Sequence, residues 1–247
     1  MGSRRALVLA VGLAFLLEHV VPFGRLIVYP FTLLATWVHE TGHGVAALAT
    51  GGHFKRLLIF WDASGQAITR EAPGWPVAIT CLGGLWAPPL VGALLLASAR
   101  GPRRARVALS TLTALLLVTL ALWVRSPAGL VVVPLAAALL GWVAWRGSPL
   151  QRLVLVQLVA LTLALDTVGR LLSYALSSTA QVGGQQQQSD VAVVAAALGG
   201  HYLAWGLIVI AVALALLAVG GWLAWRPARG ATRRSGPPPR RAPASRR

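Results

Sequence analysis

His39, Glu40 and His43 form a His-Glu-x-x-His pattern inside an apolar segment, residues 26–50. Residues four apart lie on one face of an α-helix, about one turn from each other, so both imidazoles can bind the same zinc ion. Glu40 is offset around the helix, where its carboxylate can act as general base towards a water that zinc activates. The pattern therefore predicts a zinc site for peptide hydrolysis, with His39 and His43 as ligands and Glu40 as the catalytic residue.

A catalytic zinc site needs a third protein ligand and one open position. Asp166 is the first candidate, because segments 26–50 and 150–176 are separated by three predicted spans and therefore run parallel. His43 and Asp166 lie at similar distances from the starts of their segments, which predicts a similar depth. The competing interpretation is an ion pair between Asp166 and Arg170, one helical turn apart.

Asp190 is the alternative for the third ligand. Ser189 and Asp190 follow a Gln-rich segment and open a predicted helix, which is also an ordinary N-cap arrangement. The residues alone leave Asp166 and Asp190 both open as metal ligands.

The chain that must position these residues is mainly apolar. Of its 247 residues, 57% are hydrophobic and 11% are charged, whereas soluble domains carry about 25% charged residues. The mean hydropathy is +0.71. This composition predicts an integral membrane protein in a lipid bilayer, where ionisable side chains within a span mark a functional site. The single cysteine, Cys81, excludes an intramolecular disulfide and a Cys-rich zinc module.

The net charge of +16 lies mainly in the loops and ends that flank the apolar segments. This placement indicates membrane orientation by the positive-inside rule, and it argues against a nucleic-acid partner. The basic loops 99–106 and 146–152 and the C-terminal tail are predicted to be cytoplasmic. The segment 177–190, which has no Lys or Arg, is predicted to be a polar low-complexity loop on the outside, and the alternation of spans puts the segment 53–70 on the outside as well.

The predicted fold class is an all-α polytopic membrane protein with six or seven transmembrane helices. The count is open because residues 6–22 are at the short limit for a span. A short β-hairpin is expected at about 53–70, around an Asp-Ala-Ser-Gly turn. Residues 1–225 are taken as one integral membrane domain, and the Arg- and Pro-rich residues 226–247 as a disordered tail. The apolar segments are 6–22, 26–50, 75–98, 107–124, 129–145, 150–176 and 191–225, the last with a possible break at Gly199, Gly200 and His201.

Three stretches, in this order and spacing, resemble the site-2-protease-type intramembrane zinc metallopeptidases, in particular a compact bacterial branch. They are HETGHGVAALATGG (39–52), ASGQAITR (63–70) and QSDVAVVAAALGG (188–200). The first motif is specific, and the other two support it through their order. The resemblance spans about residues 30–210.

This resemblance implies that His39 and His43 bind Zn²⁺, that Glu40 is the catalytic base, and that an aspartate of a later helix completes the site. Where characterised members carry Leu-Asp-Gly, this chain has Leu-Asp-Thr at 165–167. The resemblance further implies an endopeptidase of the bacterial plasma membrane that cleaves membrane-embedded or membrane-proximal segments of protein substrates. It also implies that the hairpin guides an extended substrate by strand addition.

The alternative function is a non-catalytic metal-binding membrane scaffold or transporter derived from such a protease. A transporter is expected to line its path with polar groups at several depths, and residues 107–145 carry almost none. A scaffold without activity has no need of Glu40. The sequence gives no indication of the oligomeric state.

Overall fold

The computed structural model describes residues 24–174 and 176–225, without the side chains of residues 24–28, 165, 168 and 170–174. The predicted first segment, residues 6–22, and the predicted tail, residues 226–247, lie outside the described residues. The side chain of Arg170, the alternative partner of Asp166, also lies outside the described residues.

Seven helices and four strands make up the described part of the chain. Three of the helices begin at a proline, a residue that suits the first helical turn because its fixed φ is already helical and its missing N–H is not needed there. The helices are α1 (Gly24–Ala49), α2 (Trp75–Ser98), α3 (Pro102–Leu122), α4 (Pro127–Arg146), α5 (Pro149–Tyr174), α6 (Asp190–Leu198) and α7 (Tyr202–Trp225).

Four of these helices, α2, α3, α4 and α7, are long and apolar enough to cross a membrane, and α5 contains a shorter apolar stretch, Pro149–Ala164. Large apolar side chains on their outer faces are exposed, for example Leu135, Val107 and Leu207. Exposed apolar surface on this scale is stable against lipid rather than water. The predicted all-helical polytopic membrane architecture is confirmed, and the expected break at Gly199, Gly200 and His201 separates α6 from α7.

The predicted hairpin is also confirmed. Strands β1 (His53–Ile59) and β2 (Gly65–Arg70) pair antiparallel, with Ile59 opposite Gly65. The second edge of β1 is occupied by the α3–α4 loop, because the Leu57 N–H donates to the Trp123 carbonyl at 2.8 Å. The hairpin is therefore part of the core, where Leu57 is fully buried.

The expectation of a loop at 177–190 is wrong. This segment forms a second antiparallel hairpin, β3 (Thr179–Val182) and β4 (Gln185–Gln188). Gly183 and Gly184 connect the strands with φ of 57° and 78°, the conformation that two-residue hairpin turns require. The Gly-Gly pair is a sequence signal for a two-residue hairpin turn. The run of glutamines after it is typical of a low-complexity loop, and the segment was therefore not predicted as a hairpin.

Helices α1 through α5 and strand β1 share one hydrophobic core. Helices α6 and α7 pack against α2 in two smaller clusters. The α1–α2 contact is close because it is made by glycines. A Cβ atom on Gly42 would lie 2.5 Å from the Gly83 carbonyl oxygen, and one on Gly83 would lie 2.8 Å from the Gly42 carbonyl oxygen. Small residues allow such a backbone approach between membrane helices.

Candidate metal and catalytic site

The His-Glu-x-x-His residues lie in the buried half of α1. Glu40 and His43 are buried, and the imidazole rings of His39 and His43 stand almost perpendicular, 4.6 Å apart between centroids. The neighbouring Trp37 donates its indole N–H to the Thr119 hydroxyl at 2.8 Å. This bond fixes the rotation of α1 about its axis relative to α3, and with it the side of α1 on which His39 and His43 lie.

His43 is oriented by a backbone carbonyl of α2. Its Nδ1 lies 2.8 Å from the Thr80 carbonyl oxygen. A carbonyl can only accept, so Nδ1 carries the proton and donates it, and the Nε2 lone pair of the neutral ring is left for a metal. This is the arrangement by which proteins orient metal-binding histidines.

Asp190 lies beside the two histidines. Its Oδ2 is 3.3 Å from His39 Nε2 and 3.5 Å from His43 Nε2. Ser189 is the N-cap of α6: its hydroxyl accepts from the Ala192 N–H at 3.3 Å and donates to the Ser177 carbonyl at 2.6 Å. The cap therefore ties the first turn of α6 to the base of the second hairpin and directs Asp190 towards α1.

The three ligand atoms have the spacing that a tetrahedral zinc site requires. The two Nε2 atoms are 3.1 Å apart, so the triangle they form with Asp190 Oδ2 has sides of 3.1, 3.3 and 3.5 Å. A tetrahedron with metal–ligand bonds of about 2.0–2.1 Å has edges of about 3.3 Å. Two imidazole nitrogens and one carboxylate oxygen also form a usual donor set for zinc with one position left for water or substrate.

Asp166, the first sequence candidate for the third ligand, lines the same cavity but does not join this group. Among the described residues, the set of potential metal ligands within 4.8 Å of one another consists of His39, His43 and Asp190. Asp166 lies in the same cavity as the histidines, as its depth along α5 predicts, but helical rise gives no information about lateral position. Asp190 was harder to find because it comes from a short helix whose start depends on the second hairpin.

Glu40 faces the turn of the first hairpin. A Cβ atom on Gly65 would lie 2.7 Å from Glu40 Cγ and 2.9 Å from Glu40 Oε1, so the absence of a side chain at residue 65 makes room for the carboxylate. The Thr36 hydroxyl donates to the Ala63 carbonyl at 2.6 Å and fixes the turn against α1. The hairpin thus contributes directly to the surroundings of the predicted base.

The turn of the first hairpin is stabilised from two directions. The hydroxyl and the backbone N–H of Ser64 donate to Asp62 Oδ1 at 2.6 and 3.0 Å, and these bonds hold the pKa of the Asp62 carboxyl below its usual value. The Gly183 N–H donates to the Ser64 hydroxyl at 2.9 Å. The two hairpin turns therefore meet beside the site.

A cavity of about 750 Å³ connects these elements. It is lined by the His-Glu-x-x-His residues, by β2 and the residues after it, by Asp166 and Thr167 of α5, and by both strands of the second hairpin. This volume is within the range of ligand-binding pockets in proteins.

The helical membrane fold and the His-His-Asp group support assignment to the membrane metallopeptidases. A family model described as Peptidase M50B-like matches residues 6–220, and the chain belongs to this family. Membership agrees with the resemblance to the site-2-protease type. No curated protein and no solved structure matches the chain.

Proposed function

We propose that the protein is an intramembrane zinc-dependent endopeptidase, with His39, His43 and Asp190 as zinc ligands and Glu40 as the catalytic base. The observation that carries the proposal is the triangle of ligand atoms with sides of 3.1–3.5 Å, next to the buried carboxylate of Glu40. Membership of a peptidase family supports the same reaction.

The residues of the site have separate roles in peptide hydrolysis. A bound zinc ion supplies a Lewis acid that polarises the scissile carbonyl and lowers the pKa of a water molecule towards roughly 7. Glu40 accepts a proton from the attacking water and delivers it to the leaving nitrogen as the C–N bond breaks. Thr80, through its backbone carbonyl, keeps His43 in the tautomer that presents Nε2 to the metal.

The substrate is a membrane-embedded or membrane-proximal protein segment in extended conformation. The edge of β1 that faces away from β2 is already hydrogen-bonded to the α3–α4 loop. Within the described residues, β2 pairs with β1 only, so its other edge is unpaired. The other edge of β2 has backbone groups that can pair with a peptide by strand addition. Gly65, at the start of β2, would bring that peptide to Glu40.

The orientation we propose has the tail in the cytoplasm of a bacterial cell and the cavity open to the outside. The hairpin bonds to the α3–α4 loop, so both share one side, while the basic loops that follow α2 and α4 lie at the other ends of those helices. A fluorescent protein fused to Arg247 should fluoresce only if the tail is cytoplasmic. Absence of fluorescence from a stably inserted fusion would reverse the orientation.

The test of the proposed function uses purified full-length protein in detergent, with zinc measured by elemental analysis and cleavage measured by mass spectrometry on a peptide mixture of diverse sequence. Wild type should bind about one zinc per chain and cleave peptides. Glu40→Gln should retain zinc and lose cleavage, because the amide cannot accept the proton. Zinc binding without any cleavage that depends on Glu40 would favour the metal-binding scaffold, and wild-type protein that binds no zinc would overturn both readings of the site.

A further inference from the structure

Most residues of β2 line the cavity. They are Gly65, Gln66, Ala67 and Thr69, and Glu71, which directly follows the strand, lines it as well. Apart from Gln66 beside the turn, they are alternate residues of the strand. Alternation is the property of a β-strand, whose successive side chains point to opposite faces. At about 3.3 Å per residue, Glu71 lies roughly 20 Å along the strand from Gly65. These cavity-lining residues therefore extend from Gly65, beside the proposed catalytic base Glu40, to the carboxylate of Glu71.

The Glu71 side chain is held in place, yet one of its carboxylate oxygens has no hydrogen-bond partner among the described residues. The Thr69 hydroxyl donates to Oε1 at 3.2 Å, and a Cβ atom on Gly52 would lie 3.0 Å from Glu71 Cβ, which shows how closely the turn after α1 packs against it. Oε2 is buried and accepts no hydrogen bond from the described residues. No described basic side chain forms an ion pair with Glu71. Such an oxygen gains most from a charged donor supplied by a ligand.

The charge of the cavity favours the same kind of ligand. Its lining includes five of the six acidic residues of the chain, and none of the described lining residues is Lys or Arg, although the chain has 22 of these. A bound zinc ion would balance only part of this negative charge. A cleft lined by one sign of charge attracts groups of the opposite sign. The lining acids are Glu40, Asp62, Glu71, Asp166 and Asp190.

We propose that Glu71 is a specificity-determining residue that binds a basic side chain of the substrate, Arg or Lys, about six residues from the scissile bond. The spacing follows from strand addition, because a peptide paired along β2 advances one residue for each residue of the strand between Gly65 and Glu71. The inference rests on the proposed endopeptidase function and adds the class of segment that is cleaved, one with a cationic residue beyond the cleavage point.

Binding without cleavage tests the subsite separately from the reaction. Full-length Glu40→Gln protein loaded with zinc is incubated in detergent with mixtures of twelve-residue peptides. In each mixture one position is fixed, either as Arg or as citrulline, its neutral isostere, and the bound peptides are quantified by mass spectrometry. One position should prefer Arg by on the order of tenfold, the size expected for a charge-assisted hydrogen bond.

Two further variants identify the residue that makes this selection. Glu40→Gln/Glu71→Gln should bind Arg and citrulline about equally, since the amide retains the shape of the side chain but has no charge. Glu40→Gln/Asp62→Asn is the matched control and should retain the preference, because Asp62 is already bonded within its own turn. Zinc content checks that each variant is folded.

Equal binding of Arg and citrulline at every position by Glu40→Gln protein would overturn the inference, and so would a preference that survives Glu71→Gln. Cleavage of the same mixtures by wild-type protein is measured in parallel. If wild type selects Arg through Glu71 but cleaves no peptide, the endopeptidase proposal fails while the cationic subsite stands. If cleavage occurs and shows no basic preference, the endopeptidase stands and the subsite fails.

Discussion

The imidazole ring of His43 lies in the space that a side chain on Gly84 would occupy. A Cβ atom built on Gly84 would overlap the ring at Cε1, Nε2 and Nδ1. The glycine of α2 thus allows His43 to lie across the surface of that helix and to donate to the Thr80 carbonyl four residues earlier. The position of the His43 ring in the proposed metal site therefore depends on the absence of a side chain at Gly84 of α2.

Gly84→Ala is therefore expected to weaken zinc binding. The added methyl group displaces the ring and breaks its bond to Thr80, and loss of a bond that orients a ligand raises the dissociation constant of the metal roughly 10- to 100-fold. Competition with a chelating dye measures this constant. Gly92→Ala is the control on the same helix, because a Cβ atom there meets its nearest neighbours at 3.4–3.7 Å. Equal zinc affinity in the two variants would contradict the assigned role of Gly84.

Gly65→Ala should separate catalysis from metal binding. The new methyl group would lie 2.6 Å from Thr36 Cγ2 and 2.7 Å from Glu40 Cγ, so Glu40 has to move, while the histidines are untouched. We expect the cleavage rate to fall by a factor on the order of 100, the usual contribution of a positioned general base, with zinc content unchanged. Gly101→Ala, which adds a methyl group into open space, should behave as wild type. Full activity of Gly65→Ala would show that the hairpin does not position Glu40.

Asp190→Ala and Asp166→Ala distinguish the two candidates for the third zinc ligand. Asp190 Oδ2 lies within 3.5 Å of both Nε2 atoms, so its removal should leave two ligands and reduce bound zinc well below one per chain. Asp166→Ala should retain zinc. Elemental analysis of both purified variants gives the answer, and the opposite result would restore Asp166 as the ligand.

Ser126→Ala should lower the stability of the protein by about 1–3 kcal/mol. The buried Ser126 hydroxyl accepts from the Ile59 N–H of the hairpin at 2.8 Å and from the Gly129 N–H at the start of α4 at 3.3 Å. Its loss removes a cap and leaves a buried N–H without a partner. Thermal unfolding in detergent should show a Tm lower by several degrees.

The control for this prediction is Ser148→Ala at the start of α5. Ser148 is exposed, and its hydroxyl accepts from the Gln151 N–H at 3.3 Å, so this variant should cost less than 1 kcal/mol. If Ser148→Ala lowers the Tm as much as Ser126→Ala, the link between hairpin and α4 contributes nothing beyond an ordinary cap.

Local patterns in the sequence predicted most of the elements around the site. The apolar segment from 26 to 50 became α1, and the segment from 53 to 70 became the first hairpin. These predictions depend on helical and strand periodicities and on turn residues, which act within about ten residues of chain. The second hairpin was missed because its strands are only four residues long and β4 consists of glutamines alone, so the polar–apolar alternation is limited to the four residues of β3.

The sequence by itself determined that this is a polytopic membrane protein and that His39 and His43 share one face of a helix, because composition and the i, i+4 spacing are properties of the chain alone. Only the tertiary structure decided which carboxylate meets the two histidines. Asp166 and Asp190 both lie far from α1 in sequence, and both reach the same cavity. Their distances from the histidines depend on how α5 and α6 pack laterally against α1. That packing depends on contacts between distant parts of the chain, such as the bond from the Gly183 N–H to the Ser64 hydroxyl that joins the two hairpins.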